Sequence, residues 1–325
     1  MPIPTLTLQN LTLSKEESYL KMVIGISIIL WLLLVVFTLG MALIYGAFIA
    51  LFIWLGNGLI IAHLRSESVL VTEEQMPALF QTYREVVSQL QLDHIPPLYI
   101  VQSHGFLNAF ATRHSGRDFV VIYSDMLEAC GVDTPQVRFI LGHELGHVRR
   151  QHVKKKMALF PGMLAPLLGN AYSRACEASC DRHGAFAAGD AEASAQAMLI
   201  LSGGRVAWQH MSPQAFSQQY QKERGFFVSW HELTSGYPTL SQRTYNLLTI
   251  EQSPEPAGLP RHPLAYPFAF FTAGGRHGSG GNILVTVAIV AILFGIALPA
   301  FSAARRQAMT ARARHERLQQ DQSAR

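Results

Sequence analysis

The chain has 325 residues, of which 49% are hydrophobic and only 15% charged, which excludes an ordinary soluble protein and leaves room for one compact domain plus membrane segments. Its net charge is +4, with basic residues scattered until a basic C-terminal tail, so the sequence carries no nucleic-acid footprint. The odd count of three cysteines, Cys130, Cys176 and Cys180, excludes a fully paired disulfide framework and favours a reducing compartment.

After an N-terminal segment, 1–21, the stretch 22–63 runs almost without charge and is far too long for one helix across a bilayer core of about 30 Å. Two transmembrane helices with a tight turn near Gly40 fit it. Its length also argues against a secretory signal, whose apolar region is about 7–15 residues.

Between Val71 and Gln91, Met76, Leu79, Phe80, Tyr83, Val86, Val87 and Leu90 recur at helical spacing and predict an amphipathic helix against a core. After Pro96 and Pro97, "LYIV", "GFLNAFAT" and "DFVVIY" predict a small antiparallel sheet, with "RHSGR" (113–117) as the turn between the last two strands. A second helix is expected from "DTPQ", with Thr134 as cap and Pro135 at its first position, running to about His152. The apolar stretch 157–172 is broken by Pro161 and Pro166 and too short for a span, so it is expected to be membrane-apposed or re-entrant.

The central domain, 64–251, gives way to a Pro/Gly-rich linker at 252–281, then to an expected third transmembrane helix at 282–304 and a basic tail at 305–325. Arg149, Arg150 and Lys154–Lys156 compete with the tail arginines for the positive-inside position, which leaves the topology open on charge alone.

The second helix contains "HELGH". Residues four apart on a helix share a face about 6 Å apart, so His143 and His147 can offer ring nitrogens to one zinc ion while Glu144 reaches the water beside it. A second "HE", His231 and Glu232, has Ser235 where a partner histidine would stand. The third ligand is sought in "SRACEASCDRHG", where Glu177 and Asp181 share a helical face; Cys176 or Cys180 is the alternative.

Four stretches, "NAFAT" (108–112), "VRFILGHELGHVRRQH" (137–152), "RACEASCDRHGA" (174–185) and "GYPTLSQR" (236–243), resemble the HtpX-like and CAAX-prenyl-protease-related membrane zinc metallopeptidases of the gluzincin type. The resemblance spans roughly residues 70–250. It implies an α+β, mainly helical zincin-type domain with a small antiparallel sheet, in which His143, His147 and Glu177 hold one Zn2+, Glu144 is the general base and Asp181 supports a ligand. It also places Asn108, Ala109, Phe110 and Ala111 on an edge strand beside the cleft, though an ordinary core strand remains open for them.

The sequence departs from that family where its usual His-Pro is Tyr237-Pro238, and where the stretch between His147 and Glu177 is short. Tyr237, His231 and Arg243 are the candidates for an oxyanion or substrate contact. The expected activity is endopeptidase cleavage of protein or peptide substrates at a lipid membrane, in quality control or processing. Prenyl-peptide cleavage is an alternative within the class, and a non-catalytic zinc-containing adapter lies outside it. A bacterial inner membrane with the zinc domain facing the cytoplasm is the expected setting.

Overall fold

In the computed structural model the described residues are 3–272, apart from 4, 103–104, 254 and 256–257, together with 305–306 and 309–310. The chain divides into two compact units, Met1–Gly280 and Gly281–Arg325. The expected third spanning helix at 282–304 and most of the basic tail lie outside the described residues.

The first unit begins with two long helices, α1 (Ser14–Phe37) and α2 (Met41–Glu67). They are joined by a turn in which Leu39 and Gly40 take φ of 50° and 84°, the left-handed region that glycine enters freely. At 1.5 Å per residue they run about 36 and about 40 Å, longer than a bilayer core of about 30 Å. Large apolar side chains such as Leu32, Phe37, Phe52 and Leu59 stand exposed on them. Such surface suits lipid and not water, and both helices are long and apolar enough to cross a membrane.

The extra length of α1 has a cause. The helix starts at Ser14, before the apolar run begins, and its first turns enter the domain, where Glu16, Val23 and Ser27 are buried. Leu6, Leu11 and Leu13, just ahead of it, are also buried.

The strand β1 (Val69–Leu70) precedes α3 (Pro77–Gln89), and the chain then forms β2 (Leu98–Val101), β3 (Ala109–His114) and β4 (Arg117–Tyr123). β3 and β4 make the expected hairpin; Ser115 and Gly116 both have positive φ, the two-residue geometry whose twist matches that of the strands. The sheet order is β1-β2-β4-β3, and one pair, β2 with β4, is parallel, so the sheet is mixed where an all-antiparallel one was expected. β4 lies between its hairpin partner and β2, which leaves β3 on the edge. From the membrane side, Trp54 of α2 donates from Nε1 to Ser115 Oγ (3.2 Å) and stacks on His114.

A short helix α4 (Ser124–Cys130) leads into α5 (Pro135–Arg149), whose Thr134 cap accepts from Val137 N at 3.2 Å. α5 ends before the expected His152. Gln151 takes φ of 53° and turns the chain, so that His152 opens a new helix, α6 (His152–Ala158), and folds back toward His147. The segment 157–172 forms the end of α6, α7 (Phe160–Met163) and the start of α8 (Leu168–Ala188). It lies against α1, where Gly162 N donates to Ser27 Oγ at 3.0 Å and that hydroxyl donates to Leu159 O at 3.2 Å. The remaining helices are α9 (Ala191–Ala207), α10 (Pro213–Lys222), α11 (Phe226–Thr234), α12 (Leu240–Leu248) and α13 (Ala265–Thr272).

The pairing of α5 with α8 positions the site, and it is close because small residues face each other. A Cβ on Gly142 would lie 2.6 Å from Ala187 Cβ, and one on Gly184 would lie 2.6 Å from Phe139 O. We therefore expect Gly142→Ala to destabilise the domain by about 1–3 kcal/mol, the usual overpacking cost. Thermal unfolding in detergent checks this: a lower midpoint is expected, and an unchanged one would show that the two helices can part at little cost.

Candidate metal centre and cleft

Three side chains converge from the two packed helices. His143 and His147, one turn apart on α5, point their Nε2 atoms at the carboxylate of Glu177 on α8, at 3.3 Å to Oε2 and 3.6 Å to Oε1. Donors about 2.0–2.1 Å from a tetrahedral zinc stand about 3.3 Å from one another, close to both of these distances, and the three donor atoms lie within 4.8 Å of one another. The donor set of two imidazoles and one carboxylate is also chemically suited to zinc.

The electrostatics of the cluster are those of a cation site. Burial opposes charge on Glu177, yet His147 and His143 hold its carboxyl well below the usual range. Burial likewise opposes a charged His143, but hydrogen bonds to Asp181 and Glu177 raise it to about 9. A buried carboxylate that needs positive charge beside it is what a bound cation would satisfy.

Two other groups of potential ligands occur among the described residues, His147 with His152 and Cys180, and Glu16 with His152 and Cys176. Burial pushes the Cys176 thiol up to about 12 and Cys180 well above its ordinary value, so neither supplies a thiolate readily. The Arg150 guanidinium already occupies Glu16 Oε1 at 2.9 Å.

Asp181, one turn beyond Glu177 on α8, accepts from His143 Nδ1 at 2.9 Å. With its other oxygen it accepts from Arg243 Nε at 2.8 Å, and Arg243 Nη2 also donates to Oδ1. Asp181 thereby holds the Nδ1 proton of His143, and Nε2, on the Glu177 side, is the atom left for a bound cation. His147 Nδ1 lies 3.0 Å from His152 Nδ1, and His152 Nε2 lies 3.1 Å from Glu16 Oε1.

The cluster forms the floor of a cleft of about 440 Å³, large enough for several residues of an extended peptide. Glu144 lines it, as do Asn108, Ala109, Phe110 and Ala111 on and before β3. Tyr237 enters from the loop between α11 and α12. The Glu177 carboxylate, with burial and Glu144 adding to it, pushes the Tyr237 hydroxyl up to about 12, so at neutral pH it is a protonated donor.

The other two oxyanion candidates stand differently. His231 is exposed on α11 and does not line the cleft, so the structure removes it as a candidate. Its neighbour Glu232 is buried between Arg224 (2.8 Å) and Arg261 (2.9 Å), a structural tie. Arg243 does line the cleft, but its guanidinium is committed to Asp181.

Residues 73–165 match the family model described as Peptidase family M48. That segment is similar to peptidase family M48. It runs from α3 through the sheet and the HExxH helix to α7. Glu177, Asp181, Tyr237 and Arg243 lie beyond its end. No solved structure matches the chain. Family M48 peptidases are metal-dependent, and the likeness over this segment supports a metallopeptidase reading of the chain. The two N-terminal helices fit a membrane protein.

Two residues at the centre had no role in the sequence reading, His152 and Glu16. His152 closes the quoted motif, five residues after His147, and its spacing was the available signal. Glu16 stands just before an apolar run, and nothing local ties it to residue 152.

Proposed function

We propose that the chain is a membrane-bound, HtpX-like zinc endopeptidase that cuts protein substrates in membrane-protein quality control or processing. The observation that carries this reading is the convergence of His143 Nε2 and His147 Nε2 on Glu177 at the floor of a cleft that also holds Glu144 and a sheet edge. His143, His147 and Glu177 would hold one Zn2+, and Asp181 orients the first of them. When bound, the zinc would acidify a water and polarise the scissile carbonyl.

Each remaining step belongs to a residue of this chain. β3 is an edge strand, so an extended substrate can add to it by main-chain hydrogen bonds, with Asn108–Ala111 along its side. Glu144 takes the proton from the attacking water and returns it to the leaving amine. Tyr237, protonated at neutral pH, donates to the oxygen that gains charge as the tetrahedral centre forms. For Tyr237→Phe we expect a fall in kcat of about ten- to a thousandfold with KM little changed. A shift in KM alone would make the hydroxyl a substrate contact.

The setting follows from the same residues. Leu6 and Leu11 pack into the core of the domain that α2 leads to, so α1 and α2 form a hairpin that returns the chain to the side on which it started. Three unpaired cysteines and the basic cluster Arg149, Arg150 and Lys154–Lys156 support a cytoplasmic face, as at a bacterial inner membrane. The segment 157–172, held against α1, would lie along the membrane surface.

The test is to incubate the detergent-purified chain with an unfolded protein and, separately, with a prenylated peptide, and to identify new termini by mass spectrometry. Internal cuts in the unfolded protein are expected. Release of only a short C-terminal piece from the prenylated peptide would replace this reading with prenyl-peptide cleavage.

A further inference from the structure

The two proposed histidine ligands are steadied in different ways. His143 is held from within the domain by Asp181 and Arg243. His147 is held by a chain of contacts that ends on α1, the first candidate membrane span. Resting on the reading of His147 as a metal ligand, we infer that Glu16 of α1 is a positioning residue for the metal centre, acting through His152.

The chemistry of the donors makes the chain directional. Arg150 Nε and Nη2 donate to Glu16 Oε1 at 3.0 and 2.9 Å, as they would to an ionised carboxylate, which can only accept. The same oxygen lies 3.1 Å from His152 Nε2, so that nitrogen must carry a proton. His152 is almost fully buried, and a neutral ring with its proton on Nε2 has a bare Nδ1. A bare Nδ1 at 3.0 Å from His147 Nδ1 requires His147 to be the donor there. The His147 proton then sits on Nδ1, and its Nε2 lone pair faces Glu177 and the metal position. The opposite order would set a bare His152 Nε2 against Glu16 Oε1, two acceptors 3.1 Å apart with no proton between them.

Glu16 is fully buried, and its Oε1 gathers Arg150 Nε, Arg150 Nη2 and His152 Nε2 within 3.1 Å, so its carboxylate ties α1 to the turn that carries His152. The consequence is a physical link between a membrane helix and the metal centre: α1 must be seated for His147 to be held.

The test compares the full-length wild type in detergent with Glu16→Ala, His152→Phe, the double variant and Glu16→Gln. Zinc affinity is measured by chelator competition, ligand geometry by the visible absorption of the cobalt-substituted proteins, and folding by the melting of the metal-free forms. Each single substitution is expected to weaken zinc binding about ten- to a hundredfold and to alter the cobalt spectrum. The double variant should lose no more than the worse single one. Glu16→Gln should recover most of the affinity, because its amide oxygen can still accept from both Arg150 and His152.

Unchanged affinity in His152→Phe, or losses that add in the double variant, would overturn the inference. If Glu16→Ala fails to fold, His152→Phe and Glu16→Gln still decide it. A wild type that binds no zinc would instead sink the metal-site reading and this inference with it.

Discussion

Glu177→Ala is expected to empty the metal centre and abolish cleavage together. Glu177 is buried on α8, and its two oxygens face the Nε2 atoms of both histidines, so it bridges the other two proposed ligands. Without it two imidazoles remain, and a catalytic zinc needs three protein ligands to stay bound while a position is open. Elemental analysis should fall from about one zinc per chain to a small fraction of that. The substitution also removes a buried charge, whose burial is unfavourable by itself, so loss of metal and not collapse of the fold is the expected cause of inactivity. Stoichiometric zinc in Glu177→Ala would move the site to another of the clustered groups, with Cys180 the first to examine.

Glu144→Gln should do the reverse, keeping zinc and losing the reaction. Glu144 lines the cleft beside the donors but is outside the group formed by His143, His147 and Glu177. The amide preserves shape and cannot take a proton, so the expected loss in kcat is about a hundred- to ten-thousandfold, the contribution of a general base. A rate close to wild type would remove Glu144 from the mechanism. Contrasting outcomes at neighbouring positions separate holding the metal from moving the proton.

Local rules made much of this site legible in the sequence. Thr134 and Pro135 mark the start of α5, the four-residue spacing of His143 and His147 puts them on one face, and the same spacing pairs Glu177 with Asp181 on α8. Ser115 and Gly116 announce the hairpin that makes β3 an edge. The rest depends on contacts between distant residues. The parallel pairing of β2 with β4 follows from where the hairpin docks, which no local pattern states. α5 stops short of His152 because Gln151 adopts a left-handed conformation unusual outside glycine, and that turn brings His152 back to His147. Arg243 reads in the sequence as an oxyanion or substrate contact, and only the fold shows that Asp181, sixty-two residues away, engages it. His231 lies in a plausible motif fragment, but only the packing of α11 shows that it faces solvent.

The most direct test of the central claim is a zinc titration of the full-length protein stripped of metal in detergent, following cleavage of an unfolded protein as zinc is returned. The account predicts no cleavage at the start and a linear return that saturates at about one zinc per chain. Cleavage that persists in the stripped protein, or a loaded protein that cuts nothing, would contradict it.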